Sequence, residues 1–192
     1  IEVCEKCGTK ICVIPFYNDV IPTRPTIDMV GEIKLIQLRT TPLDDPLNAF
    51  VKRAFDAVAS FFLLILLSPL FLFLAVAIKL SSPGPVFFKQ ERIGLNKKTF
   101  VMYKFRSMKV NDKQDTAWST STDDRRTWIG ALMRKTSLDE LPQLFNTLKG
   151  DMSLVGPRPE IPYFVEQFRE TVPLYMVKYQ VRPGMTGWAQ VN

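Results

Sequence analysis

Twenty-two residues without a charge, Ala57 to Ile78, constrain this chain more than anything else in it, because the run has Ser68-Pro69 at its centre. At a rise of ~1.5 Å per residue, about 20 apolar residues cross the hydrocarbon core of a bilayer, so the length suits a membrane. The centre does not suit a plain span. Proline has no N–H and its ring collides with the carbonyl four residues back, so a helix kinks or breaks at Pro69. The flanks bear on the same question. Lys52 and Arg53 precede the run, while Lys79, Lys89 and Arg92 follow it, and the positive-inside tendency places both ends on the cytoplasmic face. A helix that enters the membrane, breaks at Ser68-Pro69 and leaves by the same face satisfies both features. A kinked single span is the second reading, since proline is tolerated in membrane helices. A buried hairpin in a soluble protein is the third, although Phe61-Phe62-Leu63-Leu64-Ile65-Leu66-Leu67 is apolar on every side. A cleaved signal peptide is disfavoured by the depth of the run in the chain.

The chain of 192 residues has room for one ordinary domain beside such an element. Its net charge of +6 is unevenly placed: residues 1–81 carry 8 Lys/Arg and 8 Asp/Glu, residues 82–192 carry 17 and 11. A basic domain tethered beside a membrane points to anionic headgroups or phosphorylated substrates. Nucleic acid is not expected as a partner, because neither zinc-finger spacing nor an RNA-binding aromatic signature is present.

Histidine is absent altogether. That excludes Ser-His-Asp and Cys-His nucleophile systems and every His-ligated metal site. Acid–base or nucleophilic chemistry must come from carboxylate, lysine, tyrosine or cysteine. Cys4, Cys7 and Cys12 form a C-x2-C-x4-C cluster that lacks a nearby fourth zinc ligand, so free, reduced thiols in a cytosolic segment are expected.

The sequence starts at Ile1 rather than Met and reads as a fragment or processed form. Residues 1–48 are expected to be the end of an upstream α/β domain plus a linker and turn at Leu43-Asp44-Asp45-Pro46-Leu47-Asn48. Residues 49–82 are expected to form the membrane element and 83–192 a catalytic domain. Val86-Phe87-Phe88 and Thr99-Phe100-Val101-Met102-Tyr103, parted by Gly94-Leu95-Asn96, predict a small hairpin. Residues 111–124 read as a polar surface loop, and helices are predicted near 125–135, 140–149 and 160–170. The aromatic stretch from Ile161 through Phe168 to Leu174-Tyr175-Met176 suits either the membrane interface or ordinary core packing.

Chemistry concentrates between Arg134 and Glu160. Asp139 and Glu140 are adjacent carboxylates at a predicted helix start, with Pro142 allowed in the first turn. Geometry alone leaves a structural alternative open: Ser137-x-x-Glu140 is a capping-box pattern, and Asp139 is itself a capping residue type. Against it stand Arg134, Lys135 and Arg158, which bracket the pair and suit phosphate oxygens. Gly156-Pro157-Arg158-Pro159 also fixes the backbone on both sides of one arginine, a costly way to display a solvated charge. A carboxylate nucleophile, a second carboxylate for a divalent cation and arginines for phosphate together describe phosphoryl transfer.

These blocks resemble the bacterial sugar transferase family, the monotopic polyprenyl-phosphate phosphoglycosyltransferases. The resemblance covers roughly Lys52 to Asn192. It rests on Lys52-Arg53-x-x-Asp56, Ser68-Pro69, Ser82-Pro83-Gly84-Pro85-Val86-Phe87, Lys104-Phe105-Arg106-Ser107-Met108, Lys135 through Gln143, Gly156-Pro157-Arg158-Pro159 and Arg182 through Asn192. Leu38-Arg39-Thr40-Thr41-Pro42-Leu43 is similar to the join to the N-terminal domains of the larger members.

The resemblance implies an α+β, mainly helical fold. In it, a re-entrant membrane helix broken at Ser68-Pro69 carries a small interfacial catalytic domain with a short β-hairpin. It implies transfer of a sugar-1-phosphate from a UDP-sugar to undecaprenyl phosphate with release of UMP, on the cytoplasmic face of the bacterial inner membrane. Asp139 is the implied nucleophile that forms a phosphosugar–enzyme intermediate. Glu140, with Asp139 beside it, is the implied Mg²⁺ ligand. Arg134 and Arg158 match phosphate-contacting positions, with Lys104 or Arg106 assisting. Implied partners are the UDP-sugar, undecaprenyl phosphate and the bilayer; a homo-oligomer is compatible with it. Glucose-1-phosphate or galactose-1-phosphate is favoured by likeness to the larger members, with N-acetylated sugars open. Family members continue past Val191-Asn192, so this chain is expected to be a portion. The competing reading is a non-catalytic, membrane-anchored scaffold for polysaccharide assembly.

Overall fold

A computed structural model of the chain describes residues 26–30, 33–37, 41–109, 127–173 and 175–191. The three cysteines and the predicted polar loop at 111–124 lie outside them. The chain divides into two compact units, Ile1–Ala49 and Phe50–Asn192.

In the first unit, β1 (Thr26–Val30) pairs antiparallel with β2 (Ile33–Gln37), Thr26 opposite Gln37. The stretch expected as a linker and turn opens on such a turn. Pro42–Asp44 forms a 3-10 turn, in which the Asp44 carboxylate accepts the Thr41 backbone N–H at 2.6 Å and its hydroxyl at 3.0 Å. Helix α1 (Pro46–Leu66) then begins three residues ahead of the predicted boundary at 49. Pro46 is tolerated there because the first helical N–H has no intrahelical partner to lose, and Asp45 Oδ1 accepts the Leu47 N–H at 2.8 Å.

Helix α2 (Ser68–Ser81) follows at a bend of 62°. Pro69 cannot donate to the carbonyl four residues back, which is Ile65. The Ser68 hydroxyl donates to that oxygen instead, at 2.8 Å, so the break is a proline with its orphaned carbonyl re-satisfied by its neighbour. Among the described residues no single helix is long and apolar enough to cross a membrane; the bent pair passes that test together, by length and composition. Each arm has two faces. Asp56 and Ser60, one helical turn apart, are the buried side of α1, and Leu74 and Ile78 that of α2. Phe50, Phe55, Val58, Phe62, Ile65, Leu66, Leu72, Phe73, Val76 and Leu80 are exposed.

The predicted hairpin forms, with longer strands than expected. β3 (Phe87–Ile93) pairs antiparallel with β4 (Thr99–Phe105), Phe87 opposite Phe105. The turn residue Asn96 takes a left-handed φ of 52°, a conformation asparagine tolerates better than most residues. Helices α3 (Trp128–Lys135), α4 (Gln143–Lys149) and α5 (Pro162–Thr171) stand at the three predicted places. A short parallel pair joins β5 (Ser153–Val155) to β6 (Gly184–Thr186), and α6 (Trp188–Val191) ends the described chain. The fold is mixed helix and strand.

The main core joins Leu74 and Ile78 of α2 to Phe105, Ile129 and Met133, with Phe71 and Phe105 ring centroids 5.3 Å apart. A smaller core sets Val165 of α5 and Tyr179 against Ile93. The inner side of the aromatic stretch is therefore ordinary packing, while Tyr163 faces outward.

Candidate active site

Asp139 and Glu140 do not start an α-helix. They lie on a 3-10 turn, Leu138–Glu140, and α4 begins only at Gln143. Pro142 is the reason: it has no N–H for the Leu138 carbonyl, which instead accepts from Leu141 at 3.3 Å. The capping alternative also falls. Ser137 makes no cap with its side chain and sits at φ 57°, a left-handed conformation that costs a non-glycine residue energy and recurs beside functional groups.

Three elements converge on this turn. Lys104 arrives on β4, where Phe88, Gln90 and Arg92 of β3 share a face with Phe100, Met102 and Lys104. Its ammonium bonds Glu140 Oε1 at 2.8 Å. Arg158 arrives on the loop after β5 and bonds the same oxygen at 3.2 Å. Arg134, at the end of α3, donates from Nε to the Ser107 hydroxyl at 2.9 Å and lies near enough to lower the Asp139 pKa. The cleft over this cluster is lined by Arg92, Lys104, Glu140, Gln143, Arg158 and Met185, among others.

Neighbouring carboxyls are thus driven apart. Burial raises Asp139 above the ordinary carboxylate range and the Glu140 charge adds to this, against the pull of Lys104 and Arg134. Burial pushes Glu140 up as well, but the charges and bonds of Lys104 and Arg158 outweigh it and hold Glu140 below that range. Glu140 is a fixed anion that organises the cations. Asp139, only 9% exposed, is the more basic of the two carboxylates.

Arg106 is not brought to this cluster. Its guanidinium is buried and donates to the Ser82 carbonyl at 2.6 Å, the Ser82 hydroxyl at 2.9 Å and the Pro83 carbonyl at 3.0 Å. It closes the end of α2 onto the hairpin. Ser68 and Pro69 stand at the bend and serve the fold.

Residues with no predicted role hold the site in place. The Asn146 amide, fully buried, accepts the Tyr103 N–H at 3.0 Å and donates to the Val101 carbonyl at 2.7 Å. It pins α4 to the free edge of β4, next to Lys104. Lys52 and Arg53, read above as flanking charge and as part of a shared block, are structural. Arg53 donates to the Thr147 and Leu148 carbonyls, each at 2.6 Å, at the end of α4. Asp56 accepts from Lys52 at 2.7 Å, from the Ser153 hydroxyl at 2.7 Å and from the Leu154 N–H at 3.2 Å. This fastens α1 to β5, the strand that leads to Arg158. The pattern of basic pair and acid one turn later was visible in the sequence; its partners about a hundred residues away were not.

As to a metal, no group of three or more His, Cys, Asp or Glu side chains able to hold one occurs among the described residues. Asp139 and Glu140 are hard carboxylate donors of the kind that fit Mg²⁺, which is commonly held through one or two carboxylates and water.

A buried carboxylate with a raised pKa, a partner carboxylate bonded to two cations and a further arginine gather at this turn. The chain belongs to the bacterial sugar transferase family, whose signature matches residues 47–192. It is 47% identical over 184 residues to the UDP-N-acetylgalactosamine-undecaprenyl-phosphate N-acetylgalactosaminephosphotransferase of Aeromonas hydrophila, covering 93% of this chain and 43% of the relative. To the UDP-glucose:undecaprenyl-phosphate glucose-1-phosphate transferase of Escherichia coli K12 it is 46% identical over 168 residues, covering 86% of this chain and 36% of the relative. An exopolysaccharide production protein of Rhizobium leguminosarum is 47% identical over 151 residues, 76% of each chain. The chain thus spans about two-fifths of the length of the first two relatives.

Proposed function

We propose that the protein transfers a sugar-1-phosphate from a UDP-sugar to undecaprenyl phosphate at the cytoplasmic face of a bacterial inner membrane, releasing UMP. The observation that carries this is the placement of Asp139, buried and shifted toward higher pKa, beside a Glu140 held by Lys104 and Arg158. The names of the relatives, transferases acting on undecaprenyl phosphate, supply the donor and acceptor classes.

In this reading an ionised Asp139 oxygen attacks the sugar-proximal phosphorus. The anhydride bond to the uridine side breaks and UMP departs with its electron pair. A phosphate oxygen of undecaprenyl phosphate then attacks the same phosphorus, breaking the Asp139–phosphorus bond and freeing the carboxylate. Lys104, Arg134 and Arg158 bind and orient the phosphates and compensate the charge that develops on their oxygens. Glu140 and Asp139 would hold Mg²⁺, which when bound supplies further neutralisation of diphosphate charge. A covalent relay lets a soluble donor and a lipid acceptor use one site in turn.

Re-entrance of the bent helix pair belongs to the same proposal. It is supported by the 62° bend, the Ser68 bond to Ile65 and the apolar exposed faces of both arms. It keeps both flanking basic clusters and the catalytic unit on one side of the bilayer.

The test uses the full-length protein in membranes with undecaprenyl phosphate, Mg²⁺ and a panel of UDP-sugars, reading UMP. One sugar supports release, and Asp139→Asn abolishes it while membrane association persists; undiminished turnover sinks the nucleophile assignment. In a variant with Cys4, Cys7 and Cys12 changed to serine, cysteines at Asn48 and Lys79 react with an impermeant label from the same side only. Labelling from opposite sides overturns re-entrance.

A further inference from the structure

Arg158 is about half open to solvent, and the prolines on either side of it have no N–H with which to anchor the chain. Its position therefore depends on how the loop's carbonyls and the remaining amides are held. One side is held by the parallel strand pair: Gly156 N–H donates to the Thr186 carbonyl and Gly184 N–H to the Pro157 carbonyl, each at 2.9 Å. These backbones approach so closely that a Cβ on Gly184 would overlap the Gly156 nitrogen.

The other side is held by Arg92. Its Nη1 donates to the Pro159 carbonyl at 3.1 Å and lies 3.7 Å from Glu160 Oε2. The next residue, Ile93, donates its N–H to the Glu160 carbonyl at 3.0 Å. Arg92 is steadied in turn by Gln90 Oε1, 2.7 Å from Nη2. Its guanidinium is largely removed from solvent, and burying an arginine is costly unless its bonds are used. Arg92 also shares a face of the hairpin with Lys104. One β-ladder thus places Lys104 on Glu140 directly and reaches Arg158 through a single side chain.

We propose that Arg92 is a positioning residue: it locks the Pro157-Arg158-Pro159-Glu160 loop to the hairpin so that Arg158 and Lys104 converge on Glu140 and on the donor's diphosphate. The identity of that ligand rests on the function proposed above; the loop-locking role does not.

Two measurements on the full-length protein in nanodiscs keep those apart. In hydrogen exchange, Arg92→Met speeds exchange of the amides that hold the loop, Ile93 on the Glu160 carbonyl and Gly184 on the Pro157 carbonyl, by about tenfold or more while the β4 amides stay protected; unchanged exchange at both overturns the proposal, whether or not any sugar is turned over. In kinetics, Arg92→Met lowers kcat/KM for UMP release about tenfold, Arg158→Ala about a hundredfold, and the double variant stays within about twofold of Arg158→Ala. Arg92→Lys, which keeps a donor for the Pro159 carbonyl, falls between wild type and Arg92→Met. Losses that multiply in the double variant would mean that Arg92 touches the ligand itself and overturn the positioning role. Should Arg92→Met not accumulate as folded protein, Arg92→Lys carries the same cycle under the same criteria. A wild type silent with every UDP-sugar defeats the proposed function but leaves the exchange result to decide on Arg92.

Discussion

Asp56 offers the sharpest test of how the bent helix pair is joined to the catalytic segment. Its carboxylate is 2% exposed and satisfied by three donors: Lys52, the Ser153 hydroxyl and the Leu154 N–H. Asp56→Asn keeps the shape, so no cavity opens, but it removes the charge that Lys52 needs. Removing one partner of a buried pair costs ~3–5 kcal/mol. The Lys52 side chain retains 33% exposure, and solvent relieves part of that loss, so about 2–3 kcal/mol is expected. Ser153 loses little, because its hydroxyl also reaches the Val155 carbonyl at 3.0 Å. For a unit of this size each kcal/mol moves Tm by ~2–4 °C, so Asp56→Asn should melt about 5–10 °C lower. Thermal unfolding in nanodiscs, followed by circular dichroism, measures it. The companion variant Lys52→Met/Asp56→Leu removes both charges and should melt above Asp56→Asn, since an apolar replacement of a buried pair is commonly neutral or better. If Asp56→Asn melts within about 2 °C of wild type, or the double variant loses the sum of the single losses, the network does not fasten α1 to β5.

The remaining predictions concern the site. Lys104→Met removes a charge that holds the Asp139 pKa down, so the acidic limb of the activity profile should move to higher pH; the proposed reaction needs ionised Asp139, and an unmoved limb in kcat/KM against pH would refute the coupling. Because folding raises the Asp139 pKa, its ionised form opposes the fold above the ordinary carboxylate range. Asp139→Asn should therefore raise Tm at pH 7 while abolishing turnover, with the gain fading as pH falls through that range. Glu140 has the opposite sign: its stabilisation is present above the ordinary carboxylate pKa and lost as pH falls through the lowered folded value. Glu140→Gln should lower Tm at pH 7, and an unchanged Tm there would contradict its pairing with Lys104 and Arg158. Asn146→Ala breaks two bonds to the β4 edge and leaves a buried N–H and carbonyl unmatched, a loss of about 2–4 kcal/mol readable as a fall in Tm.

Much of this was legible from local pattern. The break at Ser68-Pro69 follows from proline's missing N–H, and even the Ser68 bond to a freed carbonyl is a local consequence. The hairpin and three helix positions follow from β-prone runs and turn residues. What local pattern misjudged is informative. The expected linker at 43–48 holds the first turn of α1, because Pro46 is compatible with a helix start and Asp45 supplies a cap. The expected helix start at Asp139 and Glu140 is a separate 3-10 turn, because Pro142 cannot bond back to Leu138. Arg106 lay in a motif beside Lys104 and shared its charge, yet β4 ends at Phe105 and Arg106 stands just beyond it, its N–H on the Val86 carbonyl at 2.9 Å and its guanidinium turned to the end of α2. One meets Glu140 and the other is spent on Ser82 and Pro83.

The sequence by itself determined the chemistry available to this protein. With no histidine, nucleophilic or acid–base work is left to carboxylate, lysine, tyrosine or cysteine, and the apolar run broken by proline gives a bent helix pair. These are properties of residue types and short spacings. Only the tertiary structure decided which charges meet. Lys104, Glu140 and Arg158 share one oxygen across three elements. Asp56 closes on Ser153 and Leu154, and burial with its neighbours sends two adjacent acids in opposite directions. The physical reason is that desolvation and Coulomb forces act through space, over distances fixed by strand register and helix packing, and nothing in the order of residues along the chain states those distances.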